Sequence, residues 1–203
     1  FEEAASEGDT QHRIRWPTRD LAMCSFLAIL GVRAAELIAA NVGWITQERL
    51  DDLGPRLDGA WLFWVQGKRE RVRSIPLSQE LLEVHDRWQE ERVARFGPAL
   101  PSDPLFVTNT EERFNYQRLK YWLRLLNREA GLRDRSLHTL RHTAGIQLAN
   151  DGVSLNVIQA LLGHVGVATA GIYTALASAH LSDVVRETQA NALLGQTLGE
   201  EKT

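Results

Sequence analysis

The segment Ser136-Leu-His-Thr-Leu-Arg-His-Thr143 sets a histidine and an arginine three residues apart. In a helix, His138 and Arg141 would share one face, because residues at this spacing are neighbours on the helix surface. An imidazole transfers protons near neutral pH, and a planar guanidinium grips phosphate oxygens through two parallel hydrogen bonds. The pair therefore indicates a base beside a phosphate clamp.

Further residues whose side chains could take part in catalysis flank this pair at defined spacings. His164, within Leu162-Gly-His164, follows His138 by twenty-six residues, and Tyr173 comes nine residues later. Upstream, an arginine stands in Gly31-Val-Arg-Ala-Ala-Glu-Leu37 and a lysine in Gly67-Lys68. Each motif alone is weakly specific, whereas five in this order and spacing rarely arise by chance.

The series resembles the phage-integrase, or tyrosine recombinase, family over roughly residues 15 to 180. The resemblance implies a site-specific DNA recombinase that cleaves and rejoins strands through a 3′-phosphotyrosyl bond to Tyr173. Double-stranded DNA would be its partner, and no cofactor would be needed. Phage integration, transposon mobility, integron cassette exchange and chromosome dimer resolution all remain open as the pathway.

Strand exchange needs a nucleophile that keeps the bond energy in a phosphodiester, which a tyrosine phenol does. With an ordinary pKa of about 10, Tyr173 is a poor nucleophile at neutral pH and needs basic or cationic neighbours. The transition state spreads negative charge over non-bridging oxygens, which guanidinium forks match better than ammonium groups do. Arg33 and Arg141 are therefore the predicted clamp.

The resemblance supplies the remaining roles. Lys68 would protonate the leaving 5′-oxygen from a hairpin loop, His138 would assist proton removal from Tyr173, His164 would hydrogen-bond the phosphate, and Glu36 would brace the site. The assignment of Lys68 leaves an alternative open, because Arg69, Arg71 and Arg73 lie within five residues of it. No metal site is expected, since thiolate ligands and an HExxH-type helix are missing.

The charge distribution also favours DNA, although the formal net charge is −3. Residues 113 to 141 carry eight Lys or Arg against two acids. Within this segment a helix over Asn115 to Ala130 would either follow the DNA backbone or be a solvated amphipathic face. Trp122 is the one tryptophan for which base stacking is considered. The predicted DNA-contact residues are Arg69, Arg71, Arg118, Lys120 and Arg124.

Apolar periodicity predicts a mainly α fold with a small antiparallel sheet, and one catalytic domain over residues 1–203. Helices are expected over 19–30, 33–40, 79–96, 115–130, 136–150, 155–162, 168–174 and 179–194, with a β-hairpin at 60–77 that has Lys68 at its tip. The core of the domain would span about 15–180, and 179–203 would be a C-terminal helix and tail. An N-terminal DNA-clamping domain is expected to be absent from this chain, which begins with Phe1.

No apolar run long enough for a membrane span and no secretory signal occur, so a soluble, cytoplasmic protein is expected. By resemblance, four protomers would assemble on DNA through the helix over 179–194, with Val184, Val185 and Leu193 or Leu194 as contacts. Two alternatives remain. One is a DNA-binding protein with a recombinase fold and no productive recombination, and the other is a type IB topoisomerase.

Overall fold

The computed structural model describes residues 16–47, 59–67, 72–133, 135–163 and 185–200. Within these ranges helices predominate and one small antiparallel sheet is present, which confirms the predicted fold class. The helices are α1 (Pro17–Ala28), α2 (Ala34–Ala39), α3 (Gln79–Phe96), α4 (Tyr116–Glu129), α5 (Leu137–Asn150), α6 (Leu155–Leu162) and α7 (Gln189–Glu200), and the strands are β1 (Ile45–Gln47), β2 (Trp61–Gln66) and β3 (Val72–Pro76).

The apolar core is organised around α1. Trp16 precedes this helix and is fully buried, and Pro17 takes the first helical position, where a missing N–H costs no hydrogen bond. The indole of Trp16 meets that of Trp88 on α3 edge to face, with 5.5 Å between ring centroids. The sequence predicts α1 over 19–30, and the structure begins and ends it two residues earlier.

The sheet has the order β1-β2-β3, with both pairings antiparallel. β2 and β3 form the predicted hairpin, in which Phe63 lies opposite Ile75 and Val65 lies opposite Arg73. β1 is a strand that the sequence does not predict, because three residues are too few to show an alternating pattern. Phe63 packs against Phe26 of α1 at 5.3 Å between ring centroids, which anchors the hairpin to the core.

Short polar residues begin the later helices. The side chains of Ser78, Asn115 and Ser136 each accept a hydrogen bond from a backbone N–H three residues on, at 3.3, 2.9 and 3.1 Å. Each bond satisfies a donor that lacks a partner inside the helix. The predicted helices over 33–40, 79–96, 115–130, 136–150 and 155–162 are confirmed to within one residue at each end, and the one over 168–174 lies outside the described residues.

The C-terminal helix α7 packs against the first turn of α3. The Asn191 side chain accepts from the Ser78 hydroxyl at 2.6 Å and donates to the Glu80 carboxylate at 2.9 Å. Leu194 and Leu198 add buried apolar contacts. α7 ends at Glu200, six residues beyond the predicted end at Leu194.

This packing corrects part of the expected contact set for a neighbouring protomer. Val185 and Leu194 are buried within the chain itself, so they do not present a free apolar surface. Leu193, by contrast, is 54% exposed. Val184 lies outside the described residues.

None of the helices within the described ranges has the length and apolar character needed to cross a membrane.

Candidate active site

Arg33 and Glu36 are positioned by the start of α2. Arg33 precedes the helix in extended conformation, and its backbone N–H donates to Glu36 Oε2 at 2.7 Å. This bond is the carboxylate half of a capping box, and it satisfies a backbone N–H at the start of the helix. Arg33 Nη1 donates to the other carboxylate oxygen at 2.7 Å. Helix initiation thus sets the spacing of the motif that includes Arg33 and Glu36.

Arg141 lies near the start of α5 and is buried, with 7% of its surface exposed. Its Nη1 donates to the carbonyl of Gly31 at 2.6 Å, and its Nη2 donates to the carbonyl of Leu162. These bonds join three separate segments of the sequence: the turn before α2, helix α5 and the end of α6. Arg141 is therefore fixed in position before any ligand arrives.

The C-terminal end of α6 provides a row of three consecutive carbonyl acceptors. Leu161 accepts from Arg73 Nε at 3.1 Å, Leu162 accepts from Arg141, and Gly163 accepts from Arg33 Nη2 at 2.8 Å. Carbonyls at a helix C-terminus have no partner within the helix and carry the negative end of its dipole. We call Arg33, Arg73 and Arg141 the arginine cluster.

Two motif glycines permit this geometry. Gly163 has a φ of +66°, and a Cβ there would lie 2.8 Å from Arg73 Nη1. Gly31 has a φ of +58°, and a Cβ would lie 2.5 Å from the Leu162 side chain. Both positions combine a left-handed backbone with a close approach, which glycine alone tolerates without strain. The glycines of the two motifs are explained by their left-handed backbone and by these close contacts with Arg73 and Leu162.

Arg73 is a site residue to which sequence reasoning gave no role of its own. The sequence offers it, with Arg69 and Arg71, only as an alternative to Lys68, yet its two Nη atoms each donate to a Glu36 oxygen at 2.9 Å. The signal was present in the strand pattern, since Arg73 is two residues from the fully buried Ile75. Alternate residues of a strand face the same side. A charged side chain on that side needs an internal partner.

The cluster is strongly cationic for its degree of burial. Burial, together with the neighbouring charge of Arg33, lowers the pKa of Arg141 to about 10, so the group stays protonated at neutral pH. Burial alone would raise the pKa of Glu36, but hydrogen bonds and charge from Arg73, with bonds from Arg33, bring it below its ordinary value. Three guanidinium groups thus surround one ionised carboxylate, which leaves an excess of positive charge for an anion.

An open pocket of about 360 Å³ lies over this charge. Arg33, His138 and Arg141 all contribute to its lining, together with Ala34, Ala35 and Leu137. His138 is exposed, whereas Arg33 is 39% exposed and held in place through Glu36. The structure therefore brings together three of the predicted catalytic residues, with the predicted supporting residue Glu36 beneath them.

Five further predicted site residues lie outside the described residues, so their assignments stay predictions: Lys68, Arg69, Arg71, His164 and Tyr173. Gly163 immediately precedes His164, and its carbonyl is bound to Arg33. Among the residues that the structure describes, no group of three or more His, Cys, Asp or Glu side chains has an arrangement suited to a metal ion. The expectation of a metal-free site stays a prediction as well.

The predicted basic helix is α4, which is amphipathic. Its buried face consists of Leu119, Trp122, Leu123 and Asn127, while the side chains of Lys120 and Arg124 are exposed. The Arg124 guanidinium lies 5.3 Å from the centre of the Tyr121 ring. Arg118 is exposed too, and it pairs with Glu112 at 2.5 Å. DNA contact by Arg118, Lys120 and Arg124 remains a prediction that this exposure permits.

Trp122 does not stack on bases in this arrangement, which corrects that interpretation. Its indole is 7% exposed and lies on the buried face of α4. The indole N–H donates to the carboxylate of Asp20 on α1 at 2.9 Å. Its neighbours in sequence are basic, but its own position on the helix points it inward.

Known proteins share both the sequence pattern and the fold. A model of the phage integrase family matches residues 9–180. Tyrosine recombinase XerD of Pseudomonas putida is 32% identical over 189 residues, covering 88% of this chain and 59% of that protein. The crystal structure of XerA recombinase matches with a TM-score of 0.61 at 27% identity, over 85% of this chain and 55% of that one.

A crystal structure of XerH site-specific recombinase bound to its difH substrate, a pre-cleavage complex, matches with a TM-score of 0.58. At 18% identity over 87% of this chain and 44% of that one, it supports the fold alone. The chain spans less than two thirds of the length of each of these proteins. Because the family model matches most of its residues, the chain belongs to the phage integrase family.

Proposed function

We propose that this chain is the catalytic domain of a site-specific DNA recombinase that cleaves and rejoins double-stranded DNA through a 3′-phosphotyrosyl bond at Tyr173. One observation carries the proposal: Arg33, His138 and Arg141, which come from two distant segments, line a single open pocket. Family membership and the names of the relatives, which are tyrosine recombinases, agree with it.

The scissile phosphate would bind over the pocket. Arg33 and Arg141 would each donate to its non-bridging oxygens, whose negative charge increases as the fifth bond to phosphorus forms. The side chains already have fixed positions through Gly31, Glu36 and the end of α6, so little reorganisation would be needed during the reaction. This arrangement stabilises charge without solvent rearrangement.

The reaction itself would be a transesterification. The phenolic oxygen of Tyr173 forms a bond to phosphorus while the bond from phosphorus to the 5′-oxygen breaks. His138 accepts the phenolic proton, Lys68 protonates the leaving 5′-oxygen, and His164 donates a hydrogen bond to the phosphate. Attack of another 5′-hydroxyl on the phosphotyrosine reverses these steps and restores the diester. Bond energy is conserved, so no cofactor takes part.

Assembly and location belong to the same proposal. Four protomers would act on two DNA sites in the cytoplasm, with Leu193 of α7 as an exposed apolar contact. Arg69, Arg71, Lys120 and Arg124 would hold the flanking DNA backbone, and Arg118, which is paired with Glu112, would contribute less. Neither a type IB topoisomerase nor a DNA-binding protein without recombination is favoured by a specific feature of the described residues.

The test is covalent capture on suicide DNA, in which a nick beside the scissile bond lets the cut fragment diffuse away. The duplexes carry a nick at a fixed position between arms of random sequence, so that some of them place a target site beside the nick. The captured DNA is sequenced. We expect an adduct stable to SDS that Tyr173→Phe abolishes and that Tyr116→Phe, at an exposed tyrosine on α4, leaves unchanged. No adduct with the wild-type chain, or an adduct that survives Tyr173→Phe, would contradict the proposal.

The role of Lys68 has a separate test. A bridging 5′-phosphorothiolate supplies a sulfur leaving group that needs no proton, so it should restore cleavage by Lys68→Ala. Arg69→Ala and Arg71→Ala serve as matched controls, which should cleave the normal diester and gain little from the sulfur. If Lys68→Ala still cleaves the phosphorothiolate slowly while cleavage by Arg69→Ala or Arg71→Ala is restored, the general acid is the arginine replaced in the restored variant.

A further inference from the structure

Arg73 lies on β3, away from the pocket lining, and uses all three of its nitrogens within the protein. Nη1 and Nη2 form a fork on the two oxygens of Glu36 at 2.9 Å each, and Nε binds the Leu161 carbonyl at 3.1 Å. The side chain is 17% exposed. Forked guanidinium–carboxylate contacts are strong and specific in geometry. Arg73 is therefore bound to Glu36 rather than directed at a ligand.

Glu36 is shared between two arginines. Besides the fork from Arg73, it accepts from the backbone N–H and the Nη1 of Arg33, both at 2.7 Å. Its side chain is 4% exposed, so its charge is screened mainly by these partners. A buried carboxylate that lost the Arg73 cation would depend on Arg33 alone for its compensating charge. Arg33 would then be neutralised by Glu36 instead of facing the pocket.

The effect of each change on the net charge beneath the phosphate follows from the formal charges. The arginine cluster and Glu36 together carry three positive charges and one negative charge. The wild type therefore has a net charge of +2. Removing Arg73 lowers the net charge to +1, and removing the charge of Glu36 raises it to +3. Removing both restores a net charge of +2. The two single changes therefore shift the net charge beneath the phosphate in opposite directions, and the double change restores it.

We propose that Arg73 is a positioning residue for DNA cleavage: it neutralises and fixes Glu36 so that Arg33 stays available to the phosphate, and it holds the end of α6 through the Leu161 carbonyl. This inference rests on the proposed function. Arg73 itself touches neither the phosphate nor the nucleophile, so its effect is on the rate of the chemical step and much less on DNA affinity.

The experiment measures the single-turnover rate of adduct formation at saturating suicide DNA, with DNA affinity and the thermal unfolding midpoint measured separately. We expect Arg73→Met to slow adduct formation about 10- to 100-fold while DNA affinity changes by less than about threefold. Arg73→Lys keeps the charge without the fork and should be intermediate. Glu36→Gln should cost a few-fold, and Arg73→Met with Glu36→Gln should recover about tenfold over Arg73→Met alone.

Arg113→Met is the structural control. Arg113 also binds main-chain carbonyls, those of Ile38 at 2.7 Å and Ala40 at 3.1 Å, but at the end of α2 away from the pocket lining. It should lower the unfolding midpoint and leave the rate within about twofold. Should Arg73→Met fail to fold, Arg73→Lys and the double variant decide the matter by their rates.

Three outcomes would overturn the inference: a wild-type rate in Arg73→Met or Arg73→Lys, a double variant no faster than Arg73→Met, or a loss confined to DNA affinity. In each of these the wild-type chain still forms its adduct, so the proposed function stands. A wild-type chain that forms no adduct overturns the proposed function, and this inference with it.

Discussion

Cationic side chains are held in two contrasting ways in this chain. In the arginine cluster each guanidinium binds main-chain carbonyls or Glu36, and burial, together with the neighbouring charge of Arg33, lowers the pKa of Arg141 to about 10. On α4, Lys120 and Arg124 face solvent. Fixed cations recognise one phosphate in one geometry, whereas exposed cations add attraction that depends weakly on position. The first region should control rate and the second affinity.

The largest expected effect is that of Arg141→Ala. Its removal deletes a phosphate ligand and leaves the Gly31 and Leu162 carbonyls without their donor, so adduct formation should fall at least about 1000-fold at saturating DNA. Arg118→Ala, at an exposed arginine of α4, is the matched control and should stay near the wild-type rate. Equal losses in the two variants would remove the distinction between the regions.

Gly163→Ala should have the next largest effect. An alanine there keeps a φ of +66°, and its Cβ would lie 2.8 Å from Arg73 Nη1, so the guanidinium of Arg73 has to move from its position beside Leu161 and Glu36. We expect adduct formation to slow by about 10-fold or more, beyond a backbone cost of about 1 kcal/mol in unfolding free energy. Gly131→Ala has a similar φ of +64° with nothing within 4 Å, and it isolates the backbone cost. A Gly163→Ala rate equal to that of Gly131→Ala would contradict this explanation.

Lys120→Gln combined with Arg124→Gln should act on binding alone. If both side chains contact phosphates, affinity at about 0.1 M salt should fall several-fold, and the salt dependence should lose about one unit of slope per residue. The rate at saturating DNA should not change. The measurement is a titration of labelled DNA at several salt concentrations, and an unchanged slope would assign α4 the role of a solvated face.

Arg118→Gln should show the smallest effect. Its charge is already paired with Glu112, so its loss should change DNA affinity by less than about twofold. Glu112→Gln releases Arg118 and should strengthen binding slightly, which a paired titration can detect. An affinity loss in Arg118→Gln as large as that of the Lys120 and Arg124 pair would show that the ion pair opens on DNA.

The sequence predicts those parts of the structure that local rules govern. Side-chain caps at Ser78, Asn115 and Ser136 begin three helices at or within one residue of their predicted starts, and the bond from the Arg33 N–H to Glu36 joins two residues of one motif. Contacts between distant segments are different. The fork of Arg73 on Glu36 joins residues thirty-seven apart, and no local periodicity specifies which internal partner a charged strand residue finds.

The sites that sequence reasoning misjudged share the same cause. Trp122 stands among basic residues, but its orientation is set by packing in the apolar core and by its bond to Asp20 of α1. Val185 and Leu194 carry an apolar pattern that is typical of any contact surface, and the pattern does not say whether the surface belongs to the same chain. Tertiary packing, which the local sequence does not encode, decides both.

The row of carbonyls at the end of α6 affects how this domain tolerates change during evolution. Because the arginines bind main-chain oxygens, side chains at 161 and 162 can be exchanged for others of similar size without losing the contacts. Insertion or deletion of one residue within α6 would instead rotate the helix end by about 100° and turn all three oxygens away from their donors. The length of α6 should therefore be conserved more strictly than the identity of its residues at 161 and 162.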